Sequence, residues 1–286
     1  MQGHLETCDT LDSRQFRIVV KRLADSFSYG IDSSPFRGAG VEYVQSRRYE
    51  YGDPIRSIDW RVTARTGKVF VKEFEAPKQF PCHLLLDTSA SMTVSSQKRS
   101  KYVLSVHIAG GLALACLDRI SPVGVIGVGS RDIRIEPSLS KHQIMQWLHR
   151  LRTYRYDETT SLGRRIDELS PSLHNRALVI VLSDLHDPRA LPSLKLLAQS
   201  HDCVVLQFRD PAEARLRGGG FVRGREAETG RDFVTHGGGG WIDQETIDRQ
   251  LRRAGIDHLL IETDQPFEHR IRHFFESRDL LGKSAR

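Results

Sequence analysis

The sequence has few cysteines, and none of them lie close together. Four cysteines occur in 286 residues, and no CxxC motif pairs any of them. Three lie within apolar segments, where a thiol behaves as a small apolar side chain. This usage argues against a disulfide-stapled secreted domain and against a zinc cluster, so it predicts a reducing, cytoplasmic environment. The three are Cys82, Cys116 and Cys203.

Long hydrophobic runs are also missing. The longest mainly apolar segment, 103–117, contains His107 and is shorter than the roughly 20 residues that span a bilayer. Residues 1–16 contain acids and lack the apolar centre of a secretory signal. We therefore expect no membrane span. The net charge is +6, but the basic residues are spread along the chain without a recognisable binding motif, so we expect no specific nucleic-acid partner.

Several catalytic motifs are absent as well. The chain has no G-x-S-x-G nucleophile elbow and no H-E-x-x-H zinc motif. Asp87 ends an apolar run as an aspartyl nucleophile would, but such phosphatases need a second aspartate two residues later, where this chain has Ser89. We treat His186, two residues after Asp184, as incidental. The expectation is a non-enzymatic protein, with a metal-dependent phosphatase or hydrolase using Asp87 and Asp184 as the alternative.

From residue 80 onward, short apolar segments alternate with helical patterns. Apolar strands separated by helices predict an α/β fold with a mainly parallel sheet and helices on both faces. Strands are predicted at 82–87, 122–129, 132–136, 177–183, 203–209 and 257–262. Helices are predicted at about 98–119, 140–152, 161–169, 188–200, 243–254 and 266–280.

Two other regions differ in pattern from this alternation. Residues 1–79 predict an N-terminal extension with an amphipathic helix at 14–29 and short strands at 41–45 and 68–75. The main domain then covers 80–286. Within it, the glycine-rich and charged segment 211–240 predicts a peripheral excursion that contains a small hairpin.

Two aspartates stand directly after predicted strands. Asp87 and Asp184 should meet at the carboxyl edge of the sheet, which is where ligands bind in such folds. Ser89 and Ser91 follow Asp87 at alternate positions, and Thr160 precedes a helix. Carboxylate and hydroxyl oxygens suit Mg²⁺ or Mn²⁺, so these loops predict a metal site with room for a partner's acidic side chain. The alternative is that the hydroxyls only cap helices.

The motifs at this edge resemble the metal-ion-dependent adhesion site of von Willebrand factor A domains, which have a doubly wound α/β fold. The resemblance lies in "DTSASM", "TTSLGRRIDEL" and "VLSDLHD". It implies that the metal is bound, directly or through water, by Asp87, Ser89, Ser91, Thr160 and Asp184. Two departures, Leu185 in place of a glycine and Glu158-Thr159 in place of glycines, leave open a degenerate site that binds no metal.

The upstream segment "RRYEYGDPIRSIDWRVTAR" resembles the signature of domain-of-unknown-function family 58, whose members are von Willebrand A-like. Genes of this family often lie beside those of MoxR-type AAA+ ATPases. The resemblance implies an adaptor or chaperone-like partner of such an ATPase.

The same segment mixes arginine, aspartate and aromatic residues. One interpretation is a scaffold, in which Arg–Asp pairs and Trp60 fasten the extension to the sheet. The other is a partner-docking face, because arginine and aromatic side chains suit protein interfaces. Its candidate residues are Arg48, Tyr49, Arg56 and Trp60.

Overall fold

The computed structural model describes residues 2–4, 42–53, 55–75, 81–118, 120–214, 221–225, 231–236 and 244–280. The strands in these ranges are β1 (Gln2–His4), β2 (Glu42–Arg48), β3 (Phe70–Glu75), β4 (Cys82–Leu86), β5 (Val123–Gly127), β6 (Arg134–Ser138), β7 (Thr153–Arg155), β8 (Leu178–Ser183), β9 (Asp202–Arg209), β10 (Phe221–Arg225), β11 (Asp232–His236) and β12 (Asp257–Glu262). The α-helices are α1 (Trp60–Thr66), α2 (Ala90–Thr93), α3 (Lys101–Asp118), α4 (Lys141–Leu151), α5 (Leu162–Leu169), α6 (Ala190–Leu197), α7 (Pro211–Ala214), α8 (Gln244–Arg253) and α9 (Glu268–Leu280).

A six-stranded sheet with the order β12-β9-β8-β4-β5-β6 forms the centre of the fold. Its strands are parallel except β6, which pairs antiparallel with β5. The six predicted strands are confirmed with ends within two residues, and the six predicted helices with ends within three. β7, which pairs with β1, was not predicted; at three residues it is too short to give a periodic signal.

Both faces of the sheet are covered by helices, and its two central strands are buried along their whole length. All five residues of β4 and all six of β8 are buried. Successive strand side chains point to opposite faces. Leu84 and Leu86 join the core under α3, α4 and α9, whereas Leu85 joins the core under α5, α6 and α8. The prediction of an α/β fold with a mostly parallel sheet is therefore confirmed.

The order of the strands creates a switch point between β4 and β8. After β4 the chain builds outward through β5 and β6, and from β8 it builds in the other direction through β9 and β12. Ligands of doubly wound sheets bind outside the carboxyl ends of the strands at such a point. Asp87 and Asp184 immediately follow these two strands.

The family-signature region forms a local unit of its own. β2 and β3 pair antiparallel, and Asp59 begins α1 by accepting hydrogen bonds from the N–H groups of Arg61 and Val62. In the 211–240 segment, β10 and β11 pair antiparallel from Phe221 to His236. The predicted helix at 14–29 and the predicted domain boundary at 79/80 lie outside the described residues.

One helix of the described chain, α3, is long and apolar enough to cross a membrane by length and composition alone. In the fold, 89% of that window is buried. The core helix of a soluble protein meets the same criteria, and packing against the sheet accounts for the apolar composition of α3.

Candidate functional site

Asp87 lies fully buried at the switch point. Its N–H donates to the Leu182 carbonyl at 2.9 Å, which carries the pairing of β4 with β8 into the loop. One carboxylate oxygen accepts from the Ser89 N–H at 3.0 Å, and the other accepts from Ser183 Oγ at 2.5 Å. These donors are neutral. Burial and the nearby charge of Asp184 raise the pKa of Asp87 to about 7.

The two serines of the D-x-S-x-S motif continue from this carboxylate. Ser89 is buried, its side chain hydrogen-bonds to Asp87, and its Oγ lies 3.0 Å from Ser91 Oγ. Ser89 occupies the N-cap position of α2, yet its hydroxyl makes no capping hydrogen bond, and Ser91 lies inside that helix. The capping interpretation is therefore wrong for these two serines. Their hydroxyls face each other beside Asp87.

Glu158 stands where the von Willebrand factor A domains that this edge resembles have a glycine, and it ties three loops of the edge together. Its buried carboxylate accepts from Thr88 Oγ1 at 2.6 Å and from Arg131 Nε at 2.8 Å. Its carbonyl accepts from the Ala90 N–H at 2.7 Å. A Cβ at Gly129 would lie 2.1 Å from this carboxylate, so the glycine there leaves the room that Glu158 occupies.

Thr160 is half-buried two residues after Glu158. The N-cap of α5 is Ser161 rather than Thr160, so the capping interpretation is wrong for Thr160 as well. Ser161 Oγ donates to the carbonyls of Val128 at 2.9 Å and Gly129 at 3.1 Å. The loop that carries Thr160 is thus fixed on both sides of the residue, next to the loop that carries Ser89.

Asp184 differs from Asp87 because it has a buried cation beside it. Lys101 Nζ lies 2.8 Å from Asp184 Oδ2 and also donates to Glu213. The ring of His186 lies 3.2 Å from the same carboxylate. Burial alone would raise the pKa of Asp184, but Lys101 and His186 together hold it well below its usual range. The same two carboxylates raise the pKa of Lys101 against the effect of its burial.

Glu213 reaches this pair from α7, at the start of the 211–240 segment. Its second oxygen accepts from the Asp210 N–H at 3.1 Å. Asp210 is held in turn by the Oγ atoms of Ser95, at 2.9 Å, and Ser96, at 2.5 Å. Oxygen and nitrogen atoms of Asp184, His186 and Glu213 lie within 4.8 Å of one another.

Leu185 keeps the backbone shape that a glycine would favour. Its φ is +62°, in the left-handed region, at the position where the von Willebrand factor A domains that this edge resembles have glycine. Holding a residue with a side chain there costs about 1–2 kcal/mol. The side chain is buried in the core with α5 and α6, and the N–H of Leu185 donates to Ser183 Oγ at 2.9 Å. This departure therefore changes the packing below the loop and preserves its path.

Three residues that contact Asp87 or Asp184 or join their network escaped the sequence analysis: Lys101, Ser183 and Glu213. A lysine at the first position of an apolar helix was the available signal, since a buried ammonium needs an acidic partner. His186, predicted to be incidental, contacts Asp184.

The candidate docking residues of the family-signature region are largely exposed. Trp60 is 66% exposed, and Arg48 and Tyr49 are also exposed; the side chain of Arg56 lies outside the description. Trp60 therefore does not fasten the extension to the sheet, and that part of the scaffold interpretation is wrong. The Arg–Asp pairing is present: Arg47 contacts Asp53 through two hydrogen bonds of 2.8 Å.

Comparison with known proteins assigns the chain to a family. Residues 45–238 match the family described as "Protein of unknown function DUF58". This chain belongs to that family. Relatives include "Uncharacterized protein Rv1480" of Mycobacterium tuberculosis and "Uncharacterized protein Mb1516" of Mycobacterium bovis. Each is 25% identical over 284 residues, covering 93% of this chain and 88% of the relative.

The buried ammonium gives a stability prediction. Replacing Lys101 with Met removes the buried ammonium and leaves Asp184 with only the His186 ring beside it, so we expect the free energy of unfolding to fall by about 3–5 kcal/mol. The control is Lys141→Met, at an exposed position in the first turn of α4, where a change within about 0.5 kcal/mol is expected. Urea unfolding of both variants measures this. Equal stability of the two variants would contradict the assigned role.

Asp87 gives a prediction about pH. Its folded-state pKa of about 7 lies above the ordinary value of 3.8, so between about pH 4 and 7 the folded protein holds a proton that the unfolded chain lacks. The free energy of unfolding therefore falls as pH rises through this window. Asp87→Asn cannot bind this proton. The stability of the variant relative to wild type should therefore grow from pH 4 to 7 and then level off.

Urea unfolding in EDTA across this pH range measures the difference. Asp132→Asn, which alters a side chain that is 87% exposed, is the matched control and should track wild type. Stability curves of Asp87→Asn and wild type that stay parallel from pH 4 to 7 would refute a raised pKa at Asp87.

Proposed function

We propose that this protein is a non-enzymatic interaction module with a von Willebrand factor A-like main domain. It binds an acidic side chain of a partner through Mg²⁺ or Mn²⁺ at the carboxyl edge of the sheet. The observation that carries this proposal is Asp87, a fully buried carboxylate at the switch point whose hydrogen-bond donors are neutral. Numbered from β4, the strand order of the central sheet is 3-2-1-4-5-6, the doubly wound order, which supports the fold assignment.

The residues fit a hard divalent cation. A buried carboxylate bonded only by neutral donors is costly, and a cation beside Asp87 would offset that cost. Ser89 and Ser91 present hydroxyl oxygens next to it, and Thr160 lies on the adjoining fixed loop. These four residues would hold the ion, and Asp184, already paired with Lys101, would act through water. A bound Mg²⁺ would offer a coordination position to an external carboxylate.

The setting of Asp87 favours binding over covalent catalysis. The position of a second aspartate holds Ser89, which is hydrogen-bonded to Ser91. This feature supports a docking role.

The partner class follows from the family resemblance. We propose a MoxR-type AAA+ ATPase, or its client, as the partner in an adaptor or chaperone-like role. The exposed Arg48, Tyr49 and Trp60, with Arg56, form the proposed docking face outside the metal site. Cys82, Cys116 and Cys203 are buried free thiols, which supports a cytoplasmic setting.

Metal titration tests the proposed ion site. Calorimetry with Mg²⁺ and Mn²⁺ should show one site in wild type and a loss of at least about tenfold in affinity for Asp87→Asn, because the variant removes the charged ligand. Asp132→Asn should bind as wild type does. Heats that are identical for wild type and Asp87→Asn would remove the metal from the proposal.

A binding assay with a purified MoxR-type AAA+ ATPase tests the proposed partner. Retention of the purified ATPase on the immobilised protein should be reduced by EDTA and by Asp87→Asn. Trp60→Ala should make the binding free energy less favourable by about 1 kcal/mol or more, because Trp60 belongs to the proposed docking face. The matched control is Tyr156→Ala, since Tyr156 is 47% exposed and lies outside the proposed docking face. Retention that is insensitive to EDTA, Asp87→Asn and Trp60→Ala would argue against both surfaces.

A further inference from the structure

The ammonium of Lys101 lies between two carboxylates that come from different parts of the chain. Asp184 follows β8, and Glu213 belongs to α7 after β9. The side chains of Lys101 and Asp184 are 0% and 1% exposed, whereas that of Glu213 is 25% exposed. One ammonium neutralises one carboxylate. Asp184 is the inner partner, so Glu213 is the outer and additional one.

The outer carboxylate is positioned by a small network of its own. The second oxygen of Glu213 accepts from the Asp210 N–H at 3.1 Å. Asp210 also accepts from the Ala212 N–H at 2.9 Å, which sets the first turn of α7. α7 thereby presents Glu213 to Lys101 from a separate loop. Releasing this contact would leave the inner Lys101–Asp184 pair intact.

We infer that Lys101 is a binding point for the carboxylate of an acidic peptide and that Glu213 occupies this point in the free protein. The inference rests on the proposed function in one respect, since it takes the docking group at this edge to be a carboxylate. An incoming Asp or Glu side chain replaces Glu213 on Lys101, and the displaced Glu213 becomes hydrated. His186, whose ring lies 3.2 Å from Asp184, adds a second hydrogen-bonding group at the same place.

The exchange has a quantitative consequence. An external carboxylate can bind Lys101 only in molecules whose Glu213 has left it. The apparent affinity for that carboxylate therefore equals the intrinsic affinity multiplied by the fraction of molecules in which Lys101 is free of Glu213. If Glu213 occupies Lys101 about nine-tenths of the time, removing its charge raises the apparent affinity about tenfold. A purely structural ion pair predicts no such gain.

The experiment measures binding of a fluorescein-labelled hexaglutamate peptide to the full chain by anisotropy, in Mg²⁺ and in EDTA. Glu213→Gln should bind the peptide about tenfold more tightly than wild type. Glu245→Gln makes the same acid-to-amide change at a side chain that is 86% exposed, so it controls for net charge and should match wild type. Equal affinity of Glu213→Gln and wild type, equal gains in both variants, or no measurable binding by any of the three proteins would overturn the inference.

The inference and the proposed function fail separately in this design. Titration of Mn²⁺ alone into the same proteins reports the ion site without the peptide. Mn²⁺ binding that depends on Asp87, together with no gain in Glu213→Gln, overturns the role of Glu213 and leaves the ion site standing. A tenfold gain that persists in EDTA without Mn²⁺ binding supports Lys101 as the binding point and removes the metal. In Glu213→Gln, adding Lys101→Gln should abolish the gain.

Discussion

Burial of acidic side chains at one edge of the sheet is the constraint on which the candidate site depends. Asp87, Glu158 and Asp184 are all 0–1% exposed, and a buried carboxylate is tolerated only when hydrogen bonds or a cation compensate it. Asp184 has Lys101, and Glu158 has Arg131 and Thr88. Asp87 has hydroxyl and amide donors without a formal charge. This asymmetry distinguishes the D-x-S-x-S loop from the rest of the edge.

The central fold could be predicted from the sequence because its signals are local. β4 and β8 are short, mainly apolar segments, and each is followed by an aspartate, so strand placement alone brought Asp87 and Asp184 to one edge. The boundaries shifted by a few residues where turns decide them, as at β6. The pairing of β1 with β7 joins segments of three residues far apart in the sequence, which no periodicity can show.

The compensating groups could not be predicted, because they come from distant parts of the chain. Lys101 and Asp184 are 83 positions apart, and Lys101 and Glu213 are 112 apart. No local pattern links them, and a lysine at the start of a helix is ordinarily solvated. The apolar character of α3 was visible, but its consequence, a buried ammonium in the first turn, required the packing of α3 against the sheet. The contact between His186 and Asp184 was missed because it, too, depends on how the loop after β8 packs.

The departures from the family pattern take on a physical meaning in this light. Leu185 has a left-handed backbone and makes apolar contacts below the loop. Burial of its side chain offsets the cost of this backbone conformation. Glu158, at the other departure, is a buried acid that joins the loops after β4 and β5. At both positions the side chain adds contacts next to the loop that carries Asp87.

Glu213 is a partly exposed carboxylate at this edge: its side chain is 25% exposed, whereas Asp87, Glu158 and Asp184 are at most 1% exposed. It lies at the start of the 211–240 segment, so its ion pair with Lys101 joins that segment to the edge of the sheet. Because Lys101 keeps Asp184 neutralised whether or not Glu213 is present, exchange at this point does not expose an uncompensated buried charge. The same architecture that stabilises the inner pair therefore permits an external acid to take the place of the outer one.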